Sequence, residues 1–349
     1  MSVALDLGSS EFRSLRNSES QLLARRIGTS YAVLNDTPSQ RALLQKSRVP
    51  FLYADRQLIV LGEQAEELSD LQNLPLIPLL TGDGVPHNDP IGRQVLAALI
   101  GTLLPSRHHE PQLMTCTSVL PGDIELDFPG GEFLSRVLKL HGYRLVPVHA
   151  GVALAISQLG TAGYTGLTFS FGAESTSCCL THAGIPVWQE TFATGARTVE
   201  RDFALTTQQL MCDRAGNTYL DLRNVSRWLA SGKLLLNRPQ DTESMVIADG
   251  IRKLLRSIVP TIRQRLQAKP AAKFLPEGIP ILAGGGMTRI PGFAHILYEV
   301  LVEANLPLQN AEIRLARPDS LGTCRGALIL SLLNESGEIP ESLTASIAA

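Results

Sequence analysis

Three stretches of this 349-residue chain combine residue types that could do chemistry. In residues 6–10, DLGSS, the carboxylate of Asp6 is followed by Gly8 and the small hydroxyl residues Ser9 and Ser10. Such a turn offers backbone N–H and side-chain O–H groups to a phosphate, and a carboxylate at its entrance can hold a metal-bound water. Read alone, the stretch is better explained as a common hairpin tip with a capping Asp. Residues 170–177, SFGAESTS, repeat the pattern around Gly172, with Ser175 and Thr176 as the hydroxyl residues. The third stretch, residues 279–293, reads IPILAGGGMTRIPGF. An apolar strand runs into Gly284, Gly285, Gly286 and Met287, and the chain restarts as a helix. Glycines between a strand and a helix let backbone N–H groups approach a flat or anionic ligand closely. Taken alone, the triplet reads equally as a plain tight turn. Weight comes from the order and distance of all three.

The elements that must position these residues are legible in outline. SVALDL and EFRSL form a β-hairpin around residues 8–10, and LTFSFGAESTSCCL forms another around Gly172. THAGIPVWQET extends the second hairpin through a turn at Ala183-Gly184. The hairpin unit therefore occurs twice, about 165 residues apart, and each copy precedes helices and a later strand, which reads as an internal duplication. Within the first half, residues 21–34 and 49–61 are β-rich and separated by a polar linker, NDTPSQRALLQKS. GEQAEELSDL reads as a short helix, residues 78–90 as a Gly/Pro-marked loop, and IGRQVLAALIGTLL as a helix with apolar residues at helical spacing. A buried strand over 112–120 ends at Pro121-Gly122-Asp123; GGEFLSRVLKLHGY is a helix stopped by Gly142. The strand RLVPVH and the small-residue helix AGVALAISQLG complete an alternation that implies a parallel sheet covered by helices. The second half continues with a helix over GARTVERDFALTTQQLM and a polar insert over 217–240. A long helix containing Pro260, the strand AEIRLA and the helix TCRGALILSLL follow.

Composition narrows the function classes. The charge of −2 gives no reason to expect nucleic acid, and no apolar run reaches the roughly 18 residues of a membrane span. The chain opens directly on a strand, so no signal peptide is expected to precede the fold. Cys116, Cys178, Cys179, Cys212 and Cys324 are never spaced as CxxC. They read as reduced core thiols of a cytoplasmic protein rather than as metal ligands. His108-His109, in PSRHHEP, reads as a solvated loop.

Over roughly residues 1–335 the arrangement resembles the actin-like ATPase superfamily, most nearly the bacterial actin MreB. Residues 6–10 look like its first phosphate loop, residues 170–177 stand where the second belongs, and residues 281–292 look like the adenosine motif. VHAGVALAI and residues 322–333 lie where the two connecting helices stand, with softer matches at VLGEQAEEL, GDGV and GARTVE. The resemblance implies an α/β, two-lobed fold. A first lobe would cover 1–160 with an insert at about 30–80, and a second 161–349 with an insert at about 198–245. The C-terminal helix would return toward the first lobe. It also implies ATP or ADP, with Mg, held by Asp6, Gly8, Ser9, Ser10, Gly172, Ser175, Thr176, Gly284, Gly285, Gly286 and Met287. Asp6 would hold the cation through water.

Departures from the family pattern fall on the catalytic positions. The usual opening and final Asp of the second loop are Ser170 and Ser177, its small middle residues are Ala173 and Glu174, and the first connecting helix opens with His149-Ala150-Gly151. A Glu174 carboxylate near the phosphates would repel them by roughly 4 kcal/mol at 4 Å and an effective dielectric of 20, or about three decades of affinity. The alternatives are that Glu174 turns outward or replaces Ser170 as a metal ligand. The expectation is a nucleotide-binding, filament-forming protein with weak or no hydrolysis, acting by self-association. The alternatives are a pseudo-ATPase scaffold of the PilM/FtsA type acting through a protein partner, with or without a bound cofactor, and, ranked lowest, a sugar-kinase-type enzyme. With no amphipathic segment ahead of VALDL, membrane association is not expected without a partner.

Overall fold

The computed structural model describes residues 3–18, 21–80, 84–85, 89–105, 113–120, 129–212, 216–268, 277–306, 311–317, 319 and 321–336. Much of the GDGV loop, Pro121-Gly122-Asp123 and His108-His109 lie outside them. The first half opens with β1 (Val3–Leu7), β2 (Glu11–Ser18), β3 (Gln21–Gly28) and β4 (Ser30–Asn35). Next come α1 (Pro38–Lys46), β5 (Phe51–Ala54), β6 (Gln57–Leu61), α2 (Gly62–Gln72), β7 (Ile77–Pro78) and α3 (Pro90–Leu103). It closes with β8 (Met114–Val119), α4 (Pro129–Leu140), β9 (Tyr143–Val148) and α5 (Ala150–Gln158). The five-stranded sheet has the order β3-β2-β1-β8-β9, and β4 to β7 form a separate four-stranded sheet. Leu5, Leu7, Phe12, Leu96 and Leu99 are buried in the core between the main sheet and its helices.

The second half repeats the plan. β10 (Gly166–Phe171), β11 (Thr176–His182) and β12 (Ile185–Phe192) lead to α6 (Ala196–Thr206), β13 (Leu210–Cys212), β14 (Thr218–Leu220), α7 (Leu222–Ala230) and α8 (Thr242–Ala268). β15 (Ile281–Gly285), α9 (Phe293–Glu303), β16 (Ile313–Leu315) and α10 (Gly322–Ser336) complete it. Its sheet has the order β12-β11-β10-β15-β16, matching the first strand for strand. The hairpin turn at Ala183-Gly184 has both residues at positive φ, as a two-residue hairpin requires. The two halves also exchange helices. α5 packs on β10 and β11 of the second sheet, and α10 packs on β1 and β8 of the first, with α5 and α10 in extensive mutual contact. A Cβ on Gly326 of α10 would fall 1.7 Å from the Ala153 carbonyl of α5, so the helices touch backbone to backbone.

Three local expectations fail, each for a readable reason. The stretch expected as a polar linker contains α1: the Thr37 side chain accepts from the Gln40 N–H, Pro38 starts the helix, and Leu44 is its one buried residue. The helix expected to run through Met211 stops at Thr206 because Gln208 has a φ of +54°, which lets β13 pair with β14. Cys212 is exposed on that pair, whereas Cys116, Cys178, Cys179 and Cys324 are buried, and burial pushes those four thiols up in pKa. No helix among the described residues is long and apolar enough to cross a membrane.

Candidate functional site

The two hairpins and the glycine triplet converge on one cavity of about 1020 Å³ between the sheets. The hairpins share a register. Asp6 stands opposite Arg13 in the first, and Ser170 stands opposite Ser177 in the second. Both tips need glycine for the same reason. A Cβ on Gly8 would lie 3.0 Å from the Glu11 carbonyl oxygen, and one on Gly172 would lie 2.9 Å from that of Ser175. The second tip is braced from behind, because the Ala196 and Arg197 N–H groups at the start of α6 donate to the Gly172 and Ala173 carbonyls at 3.0 and 2.7 Å. Those N–H groups are therefore already spent.

Within the triplet the three glycines differ in role. Gly285 pairs with Phe171 across the parallel β10–β15 ladder at a φ of +108°, and a Cβ there would fall 2.0 Å from the Phe171 carbonyl oxygen. Its glycine is required by the ladder, before any ligand is considered. Gly284 packs against Leu154 and Ala316 and does not line the cavity. Gly286 lines the cavity, and a Cβ there would meet open space.

Of the residues singled out from sequence, Asp6, Gly8, Ser9, Ser10, Gly172, Ser175, Gly285, Gly286 and Met287 line the cavity. Thr176 does not: it is fully buried and its hydroxyl donates to the Thr194 carbonyl at 2.8 Å, fixing the end of β12. Glu174 also lies off the cavity lining, with Oε1 3.8 Å from Arg197 Nε and 3.7 Å from Arg201 Nη2. The two guanidiniums draw the carboxylate toward α6, off the cavity lining. His149 caps α5: Nδ1 accepts from the Gly151 N–H and Nε2 is 3.2 Å from the Thr191 hydroxyl. Both ring nitrogens are committed away from the cavity.

Asp6 has two neighbours that the motif reading missed. Arg13 Nη1 donates to Asp6 Oδ2 at 3.0 Å, and the Thr323 hydroxyl donates to the same oxygen at 2.5 Å. Arg13 Nε also donates to Glu11 at 2.7 Å. Burial works to lower the Arg13 pKa, but the charges of Asp6 and Glu11 outweigh it and hold it above its ordinary value. This donor set does not suit a hydrated divalent cation on Asp6, since a guanidinium already sits on its carboxylate and Ser170 and Ser177 add no charge. Arg13 was detectable from hairpin register, since a turn at 8–10 places it across from Asp6. Thr323 gave no local signal, being 317 residues away.

On α6 and α7, Glu200 and Ser226 also reach the cavity. Glu200 accepts from Arg197 at 2.9 Å and from the Ser226 hydroxyl at 2.7 Å. Burial raises its pKa, against the lowering effects of Arg197 and Ser226. α7 also bridges the halves. Arg223 donates to the Glu66 carbonyl of α2 at 2.6 Å and pairs with Asp70, which Arg227 also contacts at 2.8 Å.

The Volactin family description matches residues 1–331, nearly the whole chain. The chain belongs to the Volactin family. No curated protein matches it. Among solved structures, the MamK double helical filament superimposes with a TM-score of 0.71 at 14% identity, covering 97% of this chain and 100% of that one. MreB 5 of Spiroplasma citri bound to AMPPNP gives 0.67 at 12% identity, covering 97% of each. Human actin-related protein Arp8 in its ATP-bound state gives 0.62 at 13%, covering 97% and 92%. At such identities the likeness carries the fold, and the fold of this Volactin-family chain is that of the actin-like ATPases.

Proposed function

We propose that this chain is an actin-like protein that binds ATP or ADP between its lobes, self-associates into filaments in the cytoplasm, and hydrolyses ATP slowly or not at all. The carrying observation is that the duplicated hairpin tips and the glycine triplet meet on one 1020 Å³ cavity. On this reading the first lobe covers 1–160 with its insert at 30–80, and the second covers 161–349 with its insert at 198–245. Ser9, Ser10 and Ser175 take the phosphates, and Gly286 and Met287 take the adenosine side. Filament formation is supported by the filament fold of MamK, which this chain shares at the level of the backbone.

Slow hydrolysis follows from what lines the site. Phosphoryl transfer in this fold needs carboxylates that hold a cation and an oriented water. Ser170 and Ser177 carry no charge, and His149 spends both nitrogens on Gly151 and Thr191. These losses also favour a second reading, a scaffold working through a protein partner. The test is titration with ATP and ADP, followed by pelleting and phosphate release across a range of protein concentrations. Nucleotide binding with nucleotide-dependent pelleting and little phosphate release is expected. Pelleting that ignores nucleotide favours the scaffold, and steady turnover like that of a cytoskeletal actin overturns the reading of the second loop.

A further inference from the structure

We propose that Arg13 is the built-in countercharge of the cleft, so that the protein takes a nucleoside di- or triphosphate as the metal-free anion. This rests on the nucleotide reading above and adds the ionic form of the ligand. Arg13 occupies the register position that Ser177 holds in the second hairpin, directly across from the residue at the mouth of the phosphate turn. Its guanidinium lies on Asp6 at 3.0 Å, in the place where a cation's water shell would otherwise meet that carboxylate. The Thr323 hydroxyl occupies the same oxygen from the other lobe-linking helix. A divalent cation placed there meets a like charge fixed by two carboxylates, Asp6 and Glu11, and gains no second acidic ligand from Ser170 or Ser177.

The other two lining carboxylates are already paired, Glu200 with Arg197 and Asp319 with Arg325. Arg26, on the neighbouring β3, offsets Glu11 at 3.7 Å, so both carboxylates of this tip meet guanidiniums. Arg289 and Arg317 line the cavity and pair with no carboxylate among the described residues. An incoming polyphosphate therefore meets guanidiniums, which bind phosphate oxygens through forked N–H donors without help from a metal.

Calorimetric titration of the full chain with ATP and with ADP, in excess magnesium and in EDTA, decides the matter. Affinity in EDTA at least equal to that in excess magnesium is expected, because magnesium sequesters the free anion in solution. A loss of about tenfold or more on chelation overturns the proposal while leaving nucleotide binding intact. No binding in either buffer refutes the nucleotide reading and this inference with it. Arg13→Gln is expected to weaken binding in EDTA by about tenfold and to make the remainder magnesium-dependent, because Asp6 is released. If that variant does not fold, Asp6→Asn serves instead. It leaves Arg13 paired with Glu11 alone and removes a negative charge, so affinity in EDTA rises by about threefold or more. Loss of affinity in magnesium buffer upon Asp6→Asn would instead make Asp6 a metal holder and sink the proposal.

Discussion

Gly285 and Gly286 are neighbours in one triplet, yet substitution should separate them into a folding residue and a ligand residue. Alanine at 285 must hold a φ of +108°, which costs about 1–3 kcal/mol. Its Cβ would also stand 2.0 Å from the Phe171 carbonyl oxygen, so β10 and β15 must part, for a further ~1–3 kcal/mol. Scaling the unfolding entropy to 349 residues gives roughly 1.4 °C per kcal/mol, so Gly285→Ala should melt roughly 3–8 °C below wild type. Gly286→Val meets neither penalty, because no atom lies within 4 Å of its Cβ and its φ is not in the left-handed region. Its branch enters the cavity where the adenosine side is proposed, so nucleotide affinity should fall by about tenfold or more with little change in melting. Thermal melts and ATP titration of the two variants in parallel make the assay. A Gly285→Ala protein melting within about 2 °C of wild type would refute the ladder reasoning. A Gly286→Val protein with full affinity would show that the triplet does not face the ligand.

Three further outcomes follow from the same geometry. Asp70→Asn weakens a partly exposed contact with Arg223 and Arg227, so a change of only ~1 kcal/mol is expected. If that bridge restrains separation of the halves, nucleotide release in stopped flow should be severalfold faster, and an unchanged release rate counts against such a restraint. Glu200 has a folded pKa above its unfolded one, so the stability it contributes is full below the ordinary value of 4.5 and is lost as pH rises through the raised value. Relative to wild type, Glu200→Gln should therefore melt progressively higher from pH 4 toward pH 7, and a difference that shrinks over that range contradicts the assignment. Arg197→Ala together with Arg201→Ala releases Glu174 toward the cavity, and ATP affinity should fall; unchanged affinity would mean the carboxylate stays turned away without them.

Much of the fold was legible because its signals are local and repeated. The two hairpins share tip glycines and register, and the strand before the triplet is a continuous apolar run, as a buried parallel strand requires. The site was legible only where backbone geometry defines it. Gly8, Gly172 and Gly286 could be read from the turns, while Thr176 and Gly284 looked equivalent to their neighbours and point into the packing instead. Side-chain direction alternates along a strand, so a motif of consecutive residues always mixes the two faces. Glu174 illustrates the other limit. Its position was known, but its direction is set by Arg197 and Arg201, more than a turn of chain away on a different element. α1 was missed because a helix with one buried residue leaves almost no apolar period to detect.

The crossing of α5 and α10 has a mechanical consequence. Because a Gly326 Cβ would overlap the Ala153 carbonyl, no side chain lies between the two helices at that crossing point. The joint behaves as a fulcrum rather than a cushion. α5 is carried by the second sheet and α10 by the first, so the two sheets are coupled through this joint as well as through the contacts of α7 with α2. The start of α5 and the start of α10, at Ala150 and Thr323, also line the cavity. A load on either lobe therefore arrives next to the cleft, at the starts of the two crossing helices.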